Sequence, residues 1–191
     1  MGIAVRAEAR VAGLMDHVAR ALAYVGGTVL IAIAAMTVIS TIGRAFVGLQ
    51  VGLGPVPGDF ELVEAGTAVA VFAFMSWCHL NQGHVTVDIV ADKMPVWANR
   101  GLVLIGNLLV LAVAFVIAWR LWMGLGEQVT WFSQPVRDML GFGYKPFTNN
   151  TTYILGMPFW YSYALSFVGA FFFTVISVFT VWRATNDLLG R

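Results

Sequence analysis

The chain has 191 residues, of which 59% are hydrophobic and only 11% charged, with a formal net charge of +1. Soluble domains carry about 25% charged residues, so a water-soluble globule of this size is excluded and lipid is the expected solvent; the balanced charge also leaves no basic field for nucleic acid. A single cysteine, Cys78, excludes an intrachain disulfide and a cysteine zinc site.

The start carries Arg6, Arg10 and Arg20. The apolar run after them is far longer than the about 7–15 residues of a signal-peptide core, so it reads as a short charged amphipathic tail leading into a retained span. Position 6 is arginine, so Gly2 does not open a myristoylation signal. A first span is expected over 21–42, bracketed by Arg20 and Arg44, with Gly26, Gly27 and several alanines forming a small-residue face suited to close helix contact in lipid. Gly52, Gly54, Pro55, Pro57 and Gly58 predict a loop from Gly48 to Asp59.

A second span is expected over 62–80. Asp59, Glu61 and Glu64 stand in or near its first turn, where the helix dipole favours acids. They read either as a solvated, dipole-matched start or, for Glu61, as a contact to a partner. Next comes a polar sentence, Gly83-His84-Val85-Thr86-Val87-Asp88. His84, Asp88 and Asp92 recur every four residues, and Val87, Val90 and Met94 fall on another face, which predicts a short helix over 84–94 lying in the membrane interface. Pro95 predicts a bend and the first turn of a new helix.

The third span is expected over 102–119. An outer loop follows over 124–156, in which Trp131, Phe132, Phe142, Tyr144 and Phe147 interleave with polar residues, as in a folded loop at headgroup depth. The fourth span is expected over 157–182. Trp119 and Trp122 read as interface anchors. Lysine and arginine placement puts both termini on the cytoplasmic side. The expected fold is a single all-α integral membrane domain, with four transmembrane helices and one interfacial helix.

Chemistry is sparse. His17, His79 and His84 all lie at predicted span ends, away from the positions that haem ligation within a bundle requires. No nucleophile elbow, phosphate loop or zinc-protease motif occurs. No span carries an ionisable residue near its centre or a broken middle, the marks of ion pathways and carrier sites. An accessory subunit fits better than a complete carrier, and an enzyme is not expected.

The chain resembles the small permease subunit of TRAP (tripartite ATP-independent periplasmic) transporters, the DctQ-like family. Glu61, Gly83, His84, Val87, Asp88, Asp92, Lys93 and Pro95 follow that family's order and spacing. Gly156-Met157-Pro158-Phe159-Trp160 with Tyr163 is similar to its Pro-x-Trp opening of the last span, and Arg44 to the arginine closing the first. The likeness covers roughly residues 20 to 182. The family often carries basic residues where this chain has Gln82 and Thr86, and the outer loop is longer than is common. The resemblance implies an unfused subunit of the bacterial inner membrane. Its expected partners are a large permease subunit, which holds the sodium and substrate sites, and a periplasmic binding protein that delivers an organic acid. No cofactor or metal is expected in this subunit. Arg44, Glu61, Gly83, His84, Val87, Asp88, Asp92, Pro95, Pro158 and Trp160 are the candidate motif or partner-contact residues. Two alternatives remain at this point: the small membrane subunit of a different tripartite carboxylate transporter, and the membrane anchor of an oxidoreductase.

Overall fold

The computed structural model describes residues 5–47, 54–81, 95–144 and 150–189. The interfacial helix expected over 84–94 lies outside the described residues, as does most of the polar motif. Four helices are long and apolar enough to cross a membrane: α1 (Val5–Phe46), α2 (Asp59–Leu80), α3 (Val96–Gln128) and α5 (Trp160–Leu188). A short α4 (Gln134–Leu140) lies between the last two. Helix is the expected answer in lipid, because each span must satisfy its own backbone polar groups. Among the described residues the only β pairing is an isolated bridge between Thr151 and Pro158.

The helices outrun the spans. α1 has 42 residues, about 63 Å at the usual rise and twice the hydrocarbon thickness of roughly 30 Å. The charged segment before the first span therefore continues the same helix, with no proline to interrupt it. α3 likewise runs past Trp119 to Gln128. It stops where Val129 turns extended (φ −98°, ψ 119°). Pro95 (φ −62°) stands immediately before α3, and its carbonyl accepts from Ala98 and Asn99 N–H.

The helices form a row rather than a closed bundle. α1 packs on α2, α2 on α5 and α5 on α3, while α1 touches α5 only slightly and α2 has no extensive contact with α3. α5 is thus the core helix. Buried residues make up 44% of its most apolar stretch, against 6% for α1. Small residues set the crossings. Gly26 of α1 lies against Ala70 and Ala73 of α2. On the opposite side of α2, a Cβ at Gly169 of α5 would stand 2.9 Å from Phe72 Cβ and 3.0 Å from its backbone carbon. Without a hydrophobic force between helices in lipid, such close backbone approach supplies the packing attraction. Between α5 and α3, the Thr174 hydroxyl lies 2.9 Å from Ala170 O on its own helix and 3.2 Å from Ala114 O on the neighbour.

Candidate functional site

Polar side chains concentrate at the two ends of the row. At the first end, where α1 stops and α2 starts, Ser40 Oγ donates to Asp59 Oδ2 (2.6 Å), and the Arg44 guanidinium pairs with the same oxygen. Asp59 Oδ1 accepts from Phe60 N–H, Val56 N–H reaches Ser40 Oγ, and the Arg44 guanidinium carbon lies 5.0 Å from the Phe60 ring centroid. Asp59 is only 8% exposed. A solvated helix start therefore describes Glu64, which is exposed, but not Asp59.

Glu61 faces a different segment. Residues 150–159 form a tight loop closed by the Thr151–Pro158 bridge, with Thr152 N–H donating to Met157 O (2.8 Å) and Thr152 Oγ1 accepting from Met157 N–H (3.0 Å). At the loop tip, Ile154 and Leu155 N–H donate to the two Glu61 carboxylate oxygens at 2.7 and 3.0 Å. Gly58, with φ +72°, turns the chain into α2 and lies against the Leu155 side chain. One carboxylate on α2 thereby fixes the approach to α5. Pro158 closes that loop, and Trp160 opens α5 stacked on Tyr161 (4.0 Å) and edge-on to Trp131 (5.0 Å).

The third feature at this end is Arg137, on α4 and fully buried. Its guanidinium donates to five backbone carbonyls: Gly126 (2.8 Å), Val129 (2.6 Å), Phe142 (3.2 Å), Gly143 (3.2 Å) and Tyr144 (3.1 Å). Two of these belong to the C-terminal end of α3, where carbonyls lack helical partners and a cation is favoured. Gly141 (φ +73°) caps α4 in the left-handed conformation and aims the chain back over the arginine. Trp122 Nε1 donates to Leu140 O, and its ring packs between Phe142 and Phe167. Trp122 is therefore an internal strut rather than the lipid anchor its position suggested, whereas Trp119 is 56% exposed.

The opposite end has its own ties. Buried His79 donates through Nε2 to Thr180 Oγ1 (2.8 Å), whose hydroxyl donates to Ser177 O, and its ring meets Phe173 edge-on. Asn186 Nδ2 donates to Glu8 Oε2 (2.7 Å), joining the start of α1 to the end of α5, with both side chains buried. Arg20 pairs with Asp16 and lies over Trp77.

Of the candidate residues, Arg44, Glu61, Pro158 and Trp160 share the first end, and Pro95 stands at the other, at the start of α3. Gly83, His84, Val87, Asp88 and Asp92 lie outside the described residues. Ser40, Arg137 and Asn186 were not picked out by sequence, and Asp59 was read only as part of a dipole-matched helix start. The one available signal was a lone arginine followed by Gly141-Phe142-Gly143, a turn able to turn its carbonyls inward. Beside Glu61 a cavity of ≈ 450 Å³ opens among α2, α3 and α5, lined by Glu64, Thr152, Phe159, Ser162 and Ser166 among others. No group of His, Cys, Asp or Glu able to hold a metal occurs among the described residues. The arrangement ties segments together.

A family model described as "Tripartite ATP-independent periplasmic transporters, DctQ component" matches residues 33–187. No curated protein and no solved structure matches the chain.

Proposed function

The chain belongs to the DctQ family of tripartite ATP-independent periplasmic transporter components, and on that footing we propose that it braces a large permease subunit during binding-protein-dependent uptake. Membership makes it a small transmembrane subunit of a three-part system, and a transporter component rather than a member of an enzyme family. The finer reading is a sodium-coupled symporter for an organic acid in the bacterial inner membrane. Sodium and substrate sites lie in the large subunit, this chain carries no cofactor of its own, and both of its termini are cytoplasmic.

The observation that carries the bracing role is the pairing of ends. Ser40, Arg44 and Asp59 fix α1 to α2, Glu61 fixes α2 to the approach of α5, and Arg137 fixes the end of α3 to its own cap. At the far end His79–Thr180 and Glu8–Asn186 tie α5 to α2 and α1. A moving carrier element needs hinges. Here both ends of the row are cross-tied, and the described spans are unbroken helices. The row also leaves wide apolar faces on its edge helices, with Val38 and Ile39 on α1 and Leu109 and Val113 on α3 more than half exposed. These suit lipid and a large intramembrane companion. The test is purification of the tagged chain from its native membrane in mild detergent. A large multi-spanning protein is expected to co-elute in fixed ratio; recovery of the chain alone, under conditions that keep it folded, opposes the reading.

A further inference from the structure

The cavity beside Glu61 is the upper part of a longer feature. α2 and α3 both pack on α5 without extensive contact with each other, so α5 forms the floor of a trough between them. A second cavity of ≈ 270 Å³ lies further along, lined by Met75, Leu109, Val110, Val113 and Phe173. Ser162, Ser166 and Phe173 fall on one stripe of α5, and Glu64, Ala68, Phe72 and Met75 on one stripe of α2, by helical spacing. The two cavities therefore follow a single line.

Polarity changes along that line. The mouth holds Glu61, Glu64, Ser162 and Thr152, and the second cavity is apolar throughout. The eleven helical steps from Ser162 to Phe173 span about 16 Å, close to half of a hydrocarbon core roughly 30 Å thick. Ser166 is 3% exposed and lines the first cavity, and its hydroxyl has no hydrogen-bond partner among the described residues. It lies one helical turn beyond Ser162, about 6 Å further along α5. The charge at the mouth is uncompensated. Arg44 is engaged by Asp59, Glu61 is held by two backbone N–H groups, and Glu64 has no ion pair or hydrogen bond among the described residues.

We propose that this trough seats one phospholipid with an amine-bearing headgroup, its ammonium at Glu64 and an acyl chain along α5 toward Phe173. A helix or a second copy of this chain would have to bury the Glu64 carboxylate, whereas an ethanolamine headgroup neutralises it. The proposal does not depend on which transporter the chain serves.

Two measurements on the full chain test it. A benzophenone amino acid placed at Ala68 is photolysed in intact membranes, and the purified chain is weighed. One adduct with the mass of an ethanolamine phospholipid is expected; a polypeptide adduct, from a large partner or a second copy, or no adduct, overturns the proposal. Separately, delipidated chain in detergent is titrated with phosphatidylethanolamine and phosphatidylglycerol of identical acyl chains, and bound lipid is counted by native mass spectrometry. One ethanolamine lipid should bind, preferred about threefold to fivefold, the range of an exposed ion pair. Glu64→Gln, at an exposed position, should abolish the preference while leaving the fold intact, and Ala68→Phe should remove the bound lipid. Equal binding of the two lipids, or a preference unchanged in Glu64→Gln, overturns the proposal.

Discussion

Replacing Arg137 with methionine keeps the length of the apolar stem and removes every donor. Five backbone carbonyls lose their partner, and three of them, on Gly126, Val129 and Phe142, belong to buried residues. A buried polar group left unpaired costs about 1–3 kcal/mol. Water entering the loaded turn offsets part of that, so the loss should fall near the low end for three groups, about 3–5 kcal/mol. The loss is local, because the spans do not depend on this turn. Hydrogen exchange measured by mass spectrometry on the detergent-solubilised chain reads it directly. Amides between 129 and 144 should exchange roughly a hundredfold faster in Arg137→Met, as expected for about 3 kcal/mol of lost local stability, while those in α2 and α5 stay as they were. Arg137→Lys, with three donors in place of the planar fork, should fall between. Exchange within twofold of the parent in Arg137→Met would refute the claim that this guanidinium organises the cap.

Glu61→Gln halves the acceptor set facing Ile154 and Leu155 N–H, so exchange at those two amides should rise about tenfold, and a protease should cut the 153–156 turn sooner; unchanged protection removes Glu61 from its clamping role. Gly169→Ala places a methyl 2.9 Å from Phe72 Cβ and should cost about 1–3 kcal/mol as a lower melting temperature, whereas Gly106→Ala, with nothing within 4 Å, should melt with the parent. Equal melting of the two variants contradicts the α2–α5 crossing. Thr180→Val removes the acceptor of His79 Nε2, and membrane-buried bonds of this kind contribute about 0.6 kcal/mol on average, so melting should fall by only a degree or two. A large drop would mean that the His79 site carries more of the stability than its single bond explains.

The spans were legible because lipid leaves few options: a stretch of roughly 20 apolar residues can only be a helix. Gly26 was legible as a packing residue for the same reason, although its partners Ala70 and Ala73 were not. The ties between ends were invisible. Glu8 finds Asn186 across 178 residues, His79 finds Thr180 across 101, and Glu61 finds Ile154 across 93. Periodicity reports which face a residue occupies and carries no information about which distant segment faces it. The order of the row, with α5 rather than α2 at its core, was hidden for that reason too. Asp59 and Arg44 looked like an ordinary acidic helix start and a basic helix end. Only the turn at Gly58 brings the Asp59 carboxylate to the Arg44 guanidinium. The ordered motif from Glu61 to Pro95 led to the family without any of this geometry, since order and spacing along the chain are what a family pattern records.

The central claim is that this chain braces a transporter without itself forming the path. Reconstituted vesicles test it most directly, with substrate uptake measured under a sodium gradient for the chain alone, for the large subunit with the binding protein, and for all three together. The account predicts uptake only when all three are present. Uptake by the chain alone, or full uptake in its absence, would contradict it.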